Sequence, residues 1–462
     1  MMNYIDTRGG EKTFNFEEVL LGGLTENGGL YVPQAWPKFS VEEIEAMRGA
    51  SYNDVAFKVL RPYTEGAFSD EELKNIIAKA YTGFAEGTDI APVKNLKDNM
   101  YVLELFHGPT LAFKDFAMKV LGEMFEVVLK RRDEHITIVG ATSGDTGSAA
   151  IEAFKDSQHA DVFILHPHNR VSDVQRKQMT TVITSNVKNI ALEGTFDDCQ
   201  NIVKALFADK NFKEEVGLSA VNSINWARIA VQIVYYFYAA LKCGAPAKEV
   251  SFCVPTGNFG NIFAAYAAKQ MGLPIKKLVI ATNANDILTR FMQSGSMEQK
   301  EVVPSLSPSM DIQISSNFER LLFYFCGGDS ALLSSYMKQF KETGRYEVKP
   351  EILADMKQLF AAYRADDAKT LETIKKVYTA HDVIFDPHTA VGVSAALQYN
   401  GKEPVIIAAT AHPAKFAGAV KEALNKEVPA PDKIVEIMKK EEVYKVLPNA
   451  VASVKSYIED NI

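Results

Sequence analysis

Short runs rich in Val, Ile and Ala recur through the middle of this chain. Each is followed by a turn and then by a helical pattern. "HITIVG" (135–140) runs through "ATSGDTG" into "SAAIEAF". "DVFILHP" (161–167) and "VKNIAL" (187–192) continue the series, the second leading to the helical "DDCQNIVKALFAD". "EVSFCVP" (249–255) passes through "TGNFGN" into "IFAAYAAKQMGLP". "KKLVIATN" (276–283) and "EPVIIAAT" (403–410) repeat the pattern, the latter entering a helical "HPAKFAGAVKEAL". Apolar strands separated by helices predict an α/β fold with mainly parallel sheets covered by helices on both faces.

Two regions break this rhythm. Residues 1–95 carry acidic helical stretches such as "VEEIEAMRGA" and "DEELKNIIAKAY" between Gly- and Pro-bearing connections, and read as an amino-terminal subdomain. Residues near 285–385 combine "PSLSPSMDIQISSNFER" with long polar helices, and read as a helical insertion. The expected organisation is a catalytic core over 96–425, built of two α/β subdomains around that insertion, and a carboxy-terminal extension over 426–462. A chain of 462 residues exceeds what one compact core supports, in keeping with this division.

Composition excludes several classes. A formal net charge of −8 with no basic stripe argues against nucleic acid as a partner. "LKRRDE" (129–134) mixes its bases with acids and reads as a solvated helix end. Cys199, Cys243, Cys253 and Cys326 lie far apart, which argues against a disulfide framework or a structural metal and suits a reducing compartment. "MMNYIDTRGG" lacks a secretory pattern. "IAVQIVYYFYAALK" (229–242) is too short to span a bilayer and reads as a buried helix. The expectation is a cytoplasmic protein with no membrane partner. A homo-oligomer stays open.

Three strand-to-helix turns and one lysine carry the chemistry. In "VPTGNFGN" (254–261), small residues let backbone amides converge where a helix presents unpaired N–H groups and its positive dipole end. An anion site and a ligand-free tight turn are both compatible with it. "GATSGDTGSAA" (140–150) is dense in hydroxyls: Thr142, Ser143, Thr146 and Ser148. Capping accounts for one or two of these, and carboxylate or phosphate binding for the rest. Asp145 requires a partner of its own. Thr410 ends its strand where open α/β sheets bind ligands, or else serves the following helix. Lys114 sits among Leu111, Ala112, Phe113, Phe116 and Ala117. Desolvation there would favour its neutral amine, the nucleophilic form, whereas a surface pair with Asp115 is the bland alternative.

Taken together and in this order, "ELFHGPTLAFKDF", "TSGDTG", "NSINWARI", "PTGNFGN" and "TAHPAKF" resemble the threonine synthases, with "TRG" and "GGLYVP" near the amino terminus. That resemblance implies a pyridoxal 5′-phosphate (PLP) enzyme of fold type II, in the tryptophan-synthase-β group. It implies that Lys114 holds PLP as a Schiff base and that Gly257, Asn258, Phe259, Gly260 and Asn261 bind the cofactor phosphate. Thr410 would face the pyridine nitrogen and Asp145 the cofactor hydroxyl. Thr142, Ser143, Gly144 and Thr146 would form the turn that takes the substrate carboxylate. Asn225 and Arg228 would meet the substrate phosphate, with Ser223, Lys415, Asn317 and Arg320 as weaker candidates. His107 and His412 read as packed histidines rather than proton carriers.

The implied reaction converts O-phospho-L-homoserine and water to L-threonine and phosphate by γ-elimination and β-hydration. A PLP-dependent dehydratase that releases 2-oxobutyrate is the alternative within this chemistry. A non-catalytic phosphate- or nucleotide-binding module is the alternative outside it, and leaves Lys114 without a purpose.

Overall fold

The computed structural model describes residues 2–84 and 89–462, and each apolar run named above becomes a strand. The described chain divides into two compact units. One comprises the residues up to Ala78, Phe84–His107 and Ser223–Val428; the other comprises Lys79–Gly83, Gly108–Asn222 and Pro429–Ile462.

The first unit is organised on a six-stranded sheet ordered Phe360–Arg364, Ile275–Thr282, Val250–Pro255, Val405–Ala409, Met100–Glu104, Val93–Lys97. All neighbours run parallel except the last pair, which is an antiparallel hairpin. The two central strands are buried along their whole length, as parallel strands covered on both faces must be. Helix Pro387–Tyr399 packs its apolar face here, where Val391, Val393 and Ala395 join Cys253, Ile407 and Ala409 in one core. Helix Trp226–Lys242 is buried from Trp226 to Leu241, so the reading of 229–242 as an interior helix holds.

The region read as a helical insertion does contain helices Phe318–Phe325, Ser330–Thr343, Pro350–Leu359 and Asp367–His381. It also supplies the sheet's edge strand, Phe360–Arg364, which pairs with Leu278–Thr282. "FAAYR" follows its helix without a glycine or proline, so no turn signal announced the change of structure. The stretch "HPAKFAGAVKEAL" is likewise not one helix. Pro413–Phe416 forms a 3-10 turn and Ala417–Leu424 the helix, with Phe416 at φ −127° between them.

The second unit is organised on an all-parallel five-stranded sheet ordered Lys445–Pro448, Val187–Glu193, Ala160–Pro167, Ile136–Ala141, Leu218–Ser219. Helices Phe196–Ala208 and Val451–Glu459 contribute Cys199, Ile202, Val454 and Ile458 to one core beside Phe163, Leu165 and Ile190. Helices Lys114–Arg132 and Asp145–Phe154 approach closely: a Cβ on Gly122 would collide with the Ala153 carbonyl oxygen. Only glycine permits that spacing. Lys114–Arg132 ends at Asp133, which is left-handed at φ 54°, with Arg131 and Arg132 exposed, as the solvated-end reading expects.

Candidate active site

In the second unit, Lys114 opens its helix and Asp145 opens another at the carboxyl end of Ile136–Ala141. Lys114 Nζ lies 3.5 Å from Asp145 Oδ2, and the two side chains are 13% and 5% exposed. The other carboxylate oxygen accepts from Gln175 Nε2 at 2.8 Å. Gln175 is oriented in turn by Ser172, whose hydroxyl donates to Gln175 Oε1 at 2.8 Å. Asp145 therefore has the partners its sequence position demanded. Asp115 accepts the Thr110 amide at 2.8 Å and the Thr110 hydroxyl at 2.6 Å. Gln178 fixes the same loop by donating to the Thr110 carbonyl at 2.9 Å. The loop includes Leu111 at φ 58°, a conformation that a branched side chain adopts only when its surroundings impose it.

The hydroxyls of 142–148 separate into two groups. Thr142 Oγ1 accepts the amides of Gly144 and Gly147, both at 2.9 Å, and Ser148 Oγ donates to the Asp145 carbonyl at 3.2 Å. These two hydroxyls, with the Gly144 amide, build the turn. Ser143 is exposed and Thr146 half-buried. Among the described residues, neither their hydroxyls nor their amides have a partner. The donors this turn leaves open are those of Ser143 and Thr146, while Thr142 Oγ1 is committed within it.

In the first unit, the turn after Val250–Pro255 and the residue after Val405–Ala409 lie at the carboxyl ends of neighbouring parallel strands. Helix Gly260–Gln270 begins behind Phe259, which is left-handed at φ 64°. The first amide of this turn to reach a carbonyl is Phe263, bonded to Phe259 at 2.9 Å. Among the described residues, no acceptor serves the amides of Gly257, Asn258, Phe259, Gly260 or Asn261. The Asn261 carboxamide nitrogen is buried without a partner, while its oxygen accepts from the Tyr235 and Tyr236 hydroxyls. Side chains would be crowded at the glycines. A Cβ on Gly257 would lie 3.2 Å from the Ser309 carbonyl oxygen, and one on Gly260 would lie 3.3 Å from Asn317 Nδ2. A row of unserved N–H groups at a helix start forms a cradle that suits an anion such as phosphate. Thr410 is 6% exposed, and its hydroxyl has no hydrogen bond among the described residues, so it can serve a ring nitrogen. Taken singly, and in chemical kind, Lys114 suits an aldehyde, the 257–261 amides a phosphate and Thr410 a pyridine nitrogen.

Several residues expected to touch the substrate are engaged in hydrogen bonds within the first unit. Asn225 caps helix Trp226–Lys242 by accepting the Ala227 amide at 2.9 Å and donates to the Leu20 carbonyl at 2.8 Å. Both ends of its carboxamide are committed. Asn317 donates through Nδ2 to the Ser223 carbonyl at 3.1 Å and to the Asn258 carbonyl at 3.0 Å. Arg320, fully buried, donates to Asn317 Oδ1, to Tyr31 O at 2.9 Å and to Ile224 O at 2.6 Å. Burial pulls its pKa down to about 9. Ser315 holds the Gly257 carbonyl at 2.7 Å. Arg228 is 3% exposed, and burial lowers its pKa to about 10. Lys415 is buried, and the Ser223 hydroxyl lies 3.4 Å from Ser316 Oγ. His107 pairs with Glu104 at 2.8 Å. His412 meets the Phe106 ring edge-on, and burial lowers its pKa to about 4, as a packed neutral histidine requires. Gln175 and the Asp386–His388–Thr389 segment escaped the sequence reading. The Asp-Pro-His-Thr spelling of a helix start was the available signal for the latter.

Residues 82–332 match the family described as "Pyridoxal-phosphate dependent enzyme", and this is the class that fold and site define. Residues 3–81 match "Threonine synthase N terminus" and 389–458 match "Threonine synthase, C-terminal". The chain is 49% identical to a threonine synthase from Pseudomonas aeruginosa, over 100% of this chain and 98% of that one. It superposes on the PLP-bound threonine synthase from Brucella melitensis with a TM-score of 0.97 and 48% identity, covering 100% and 99% of the two chains. The yeast threonine synthase gives a TM-score of 0.95 at 41% identity, covering 99% and 98%. The chain belongs to the threonine synthase family.

Proposed function

We propose that the chain converts O-phospho-L-homoserine and water to L-threonine and inorganic phosphate, with PLP bound covalently at Lys114. The observation that carries this reading is the full-length likeness to threonine synthases, within which Lys114, the 257–261 cradle and Thr410 each have the chemistry required. It disfavours the dehydratase alternative. The reading includes a cytoplasmic location, which four free cysteines support.

Bound PLP supplies an electron sink that acidifies the protons on the substrate's Cα and Cβ. The amides of Gly257–Asn261 take the cofactor phosphate, and Thr410 takes the ring nitrogen. A hydroxyl cannot carry the charge a carboxylate would, so it leaves that nitrogen largely unprotonated. Asp145, held by Gln175, takes the cofactor hydroxyl. Ser143 and Thr146 bind the substrate carboxylate. Lys114, once its amine is released, carries protons among Cα, Cβ and Cγ. The Cγ–O bond breaks and phosphate leaves. Water then delivers hydroxide to Cβ, and protons return to Cα and Cγ. Arg228 supplies positive charge for the substrate phosphate.

Incubation with O-phospho-L-homoserine, followed by amino-acid and keto-acid analysis, tests the reading. Threonine and phosphate in equal amounts are expected; 2-oxobutyrate without threonine would refute it.

A further inference from the structure

Asp386 is completely buried at the start of helix Pro387–Tyr399, in the first unit. Its carboxylate accepts from the His388 amide at 2.9 Å, His388 Nδ1 at 2.9 Å, the Thr389 amide at 3.3 Å and the Thr389 hydroxyl. An ionised carboxylate can only accept, so it dictates where two neighbouring protons reside. The Thr389 hydroxyl must direct its hydrogen at Asp386, which leaves its oxygen lone pair outward. That lone pair accepts the Thr410 amide at 3.3 Å. His388 must carry its proton on Nδ1, which leaves Nε2 as an acceptor. Nε2 accepts the Ser309 amide at 3.2 Å. Ser309 belongs to the turn Pro308–Met310 that abuts Gly257.

We propose that Asp386 is a positioning residue for the cofactor, setting through Thr389 the segment that presents Thr410 and through His388 the segment that closes against the phosphate cradle. This rests on the PLP reading above and adds to it a single buried acid coupling the ring end of the site to its phosphate end.

Asp386→Asn is the discriminating variant. Asparagine ranks with aspartate as a helix cap and keeps one of the two cap bonds through its remaining oxygen, so the helix start survives. Its amide nitrogen, however, donates where the carboxylate accepted. If it faces His388, Nδ1 must accept and Nε2–H then opposes the Ser309 amide. If it faces Thr389, the hydroxyl reverses and opposes the Thr410 amide. One arm fails in either orientation.

The holoenzyme of the natural chain, Asp386→Asn, Thr389→Val and Thr389→Ser are compared by PLP dissociation constant, from fluorescence titration, and by the visible absorption of bound cofactor. Loss of one buried, charge-linked hydrogen bond predicts about tenfold weaker PLP binding for Asp386→Asn and Thr389→Val. A shifted absorption band should accompany it, with Thr389→Ser restoring both values. Natural affinity and an unshifted band in both impaired variants would overturn the proposal. If Asp386→Asn does not fold, Thr389→Val, which keeps the acid and its cap bonds, decides alone. Failure of the natural chain itself to bind PLP would instead overturn the functional reading.

Discussion

Lys114 Nζ and Asp145 Oδ2 are 3.5 Å apart, with the second oxygen of Asp145 already engaged by Gln175. The lysine thus meets a carboxylate whose orientation is fixed from behind. Asp145→Asn can keep its oxygen for Gln175 and then replaces the charged oxygen facing Lys114 with an amide nitrogen that only donates. We expect kcat to fall roughly 10- to 100-fold while the melting temperature changes little, the size expected for one misassigned proton or charge in general acid–base chemistry. Steady-state kinetics beside thermal unfolding checks it.

Gly144 lies at φ +144°, and a Cβ there would run into the Gln175 carboxamide. Gly144→Ala adds backbone strain and displaces the residue that orients Asp145. A loss of about 1–3 kcal/mol in unfolding free energy is expected, with activity reduced more than in Asp145→Asn. Urea unfolding with parallel rate measurements separates the two effects.

Arg320 is a buried cation with three backbone or amide acceptors. Arg320→Met fills much of the volume but removes the donors to the Tyr31 and Ile224 carbonyls and to Asn317 Oδ1. Unfolding free energy should drop by about 2–4 kcal/mol. PLP binding should weaken, because Asn317 is what pins the Asn258 carbonyl. If Arg320 instead contacted substrate phosphate, KM would rise with stability unchanged.

His166 is 1% exposed, and burial lowers its pKa from 6.5 to about 4. The folded value lies below the unfolded one, so the unfolded chain binds more protons between these limits. Stability from this residue is intact above pH 6.5 and drains away as pH falls toward 4, by at most roughly 3 kcal/mol. His166→Phe should flatten the decline of the urea midpoint between pH 6.5 and 4. An unchanged slope would show that other groups control acid sensitivity.

The two central sheets were legible because their strands are buried on both faces and spell continuous apolar runs. Phe360–Arg364 was not, since an edge strand of two alanines flanked by aromatics and an arginine carries little pattern. The Val93–Lys97 and Met100–Glu104 hairpin was also missed: "KNLKDNMY" reads as polar loop, and its tight turn relies on Asp98 at φ 46°. Within the site, Lys114, Asp145 and the cradle glycines were legible because their chemistry depends on residue type and local spacing. Gln175 depends on a contact made 30 positions away, which no local pattern encodes. Asn225 has the right donor for a phosphate, yet helix capping and the Leu20 carbonyl claim both ends of it.

The strand Lys445–Pro448 lies parallel to Val187–Glu193 at the rim of the sheet in the lysine-bearing unit. It is made long after its partner has left the ribosome. Throughout that interval, the nascent sheet presents an unsatisfied hydrogen-bonding rim along Val187–Glu193. A chain lacking Lys445–Pro448 would hold Lys114 and Asp145 in a unit whose rim is open to strand-seeking aggregation and to proteolysis.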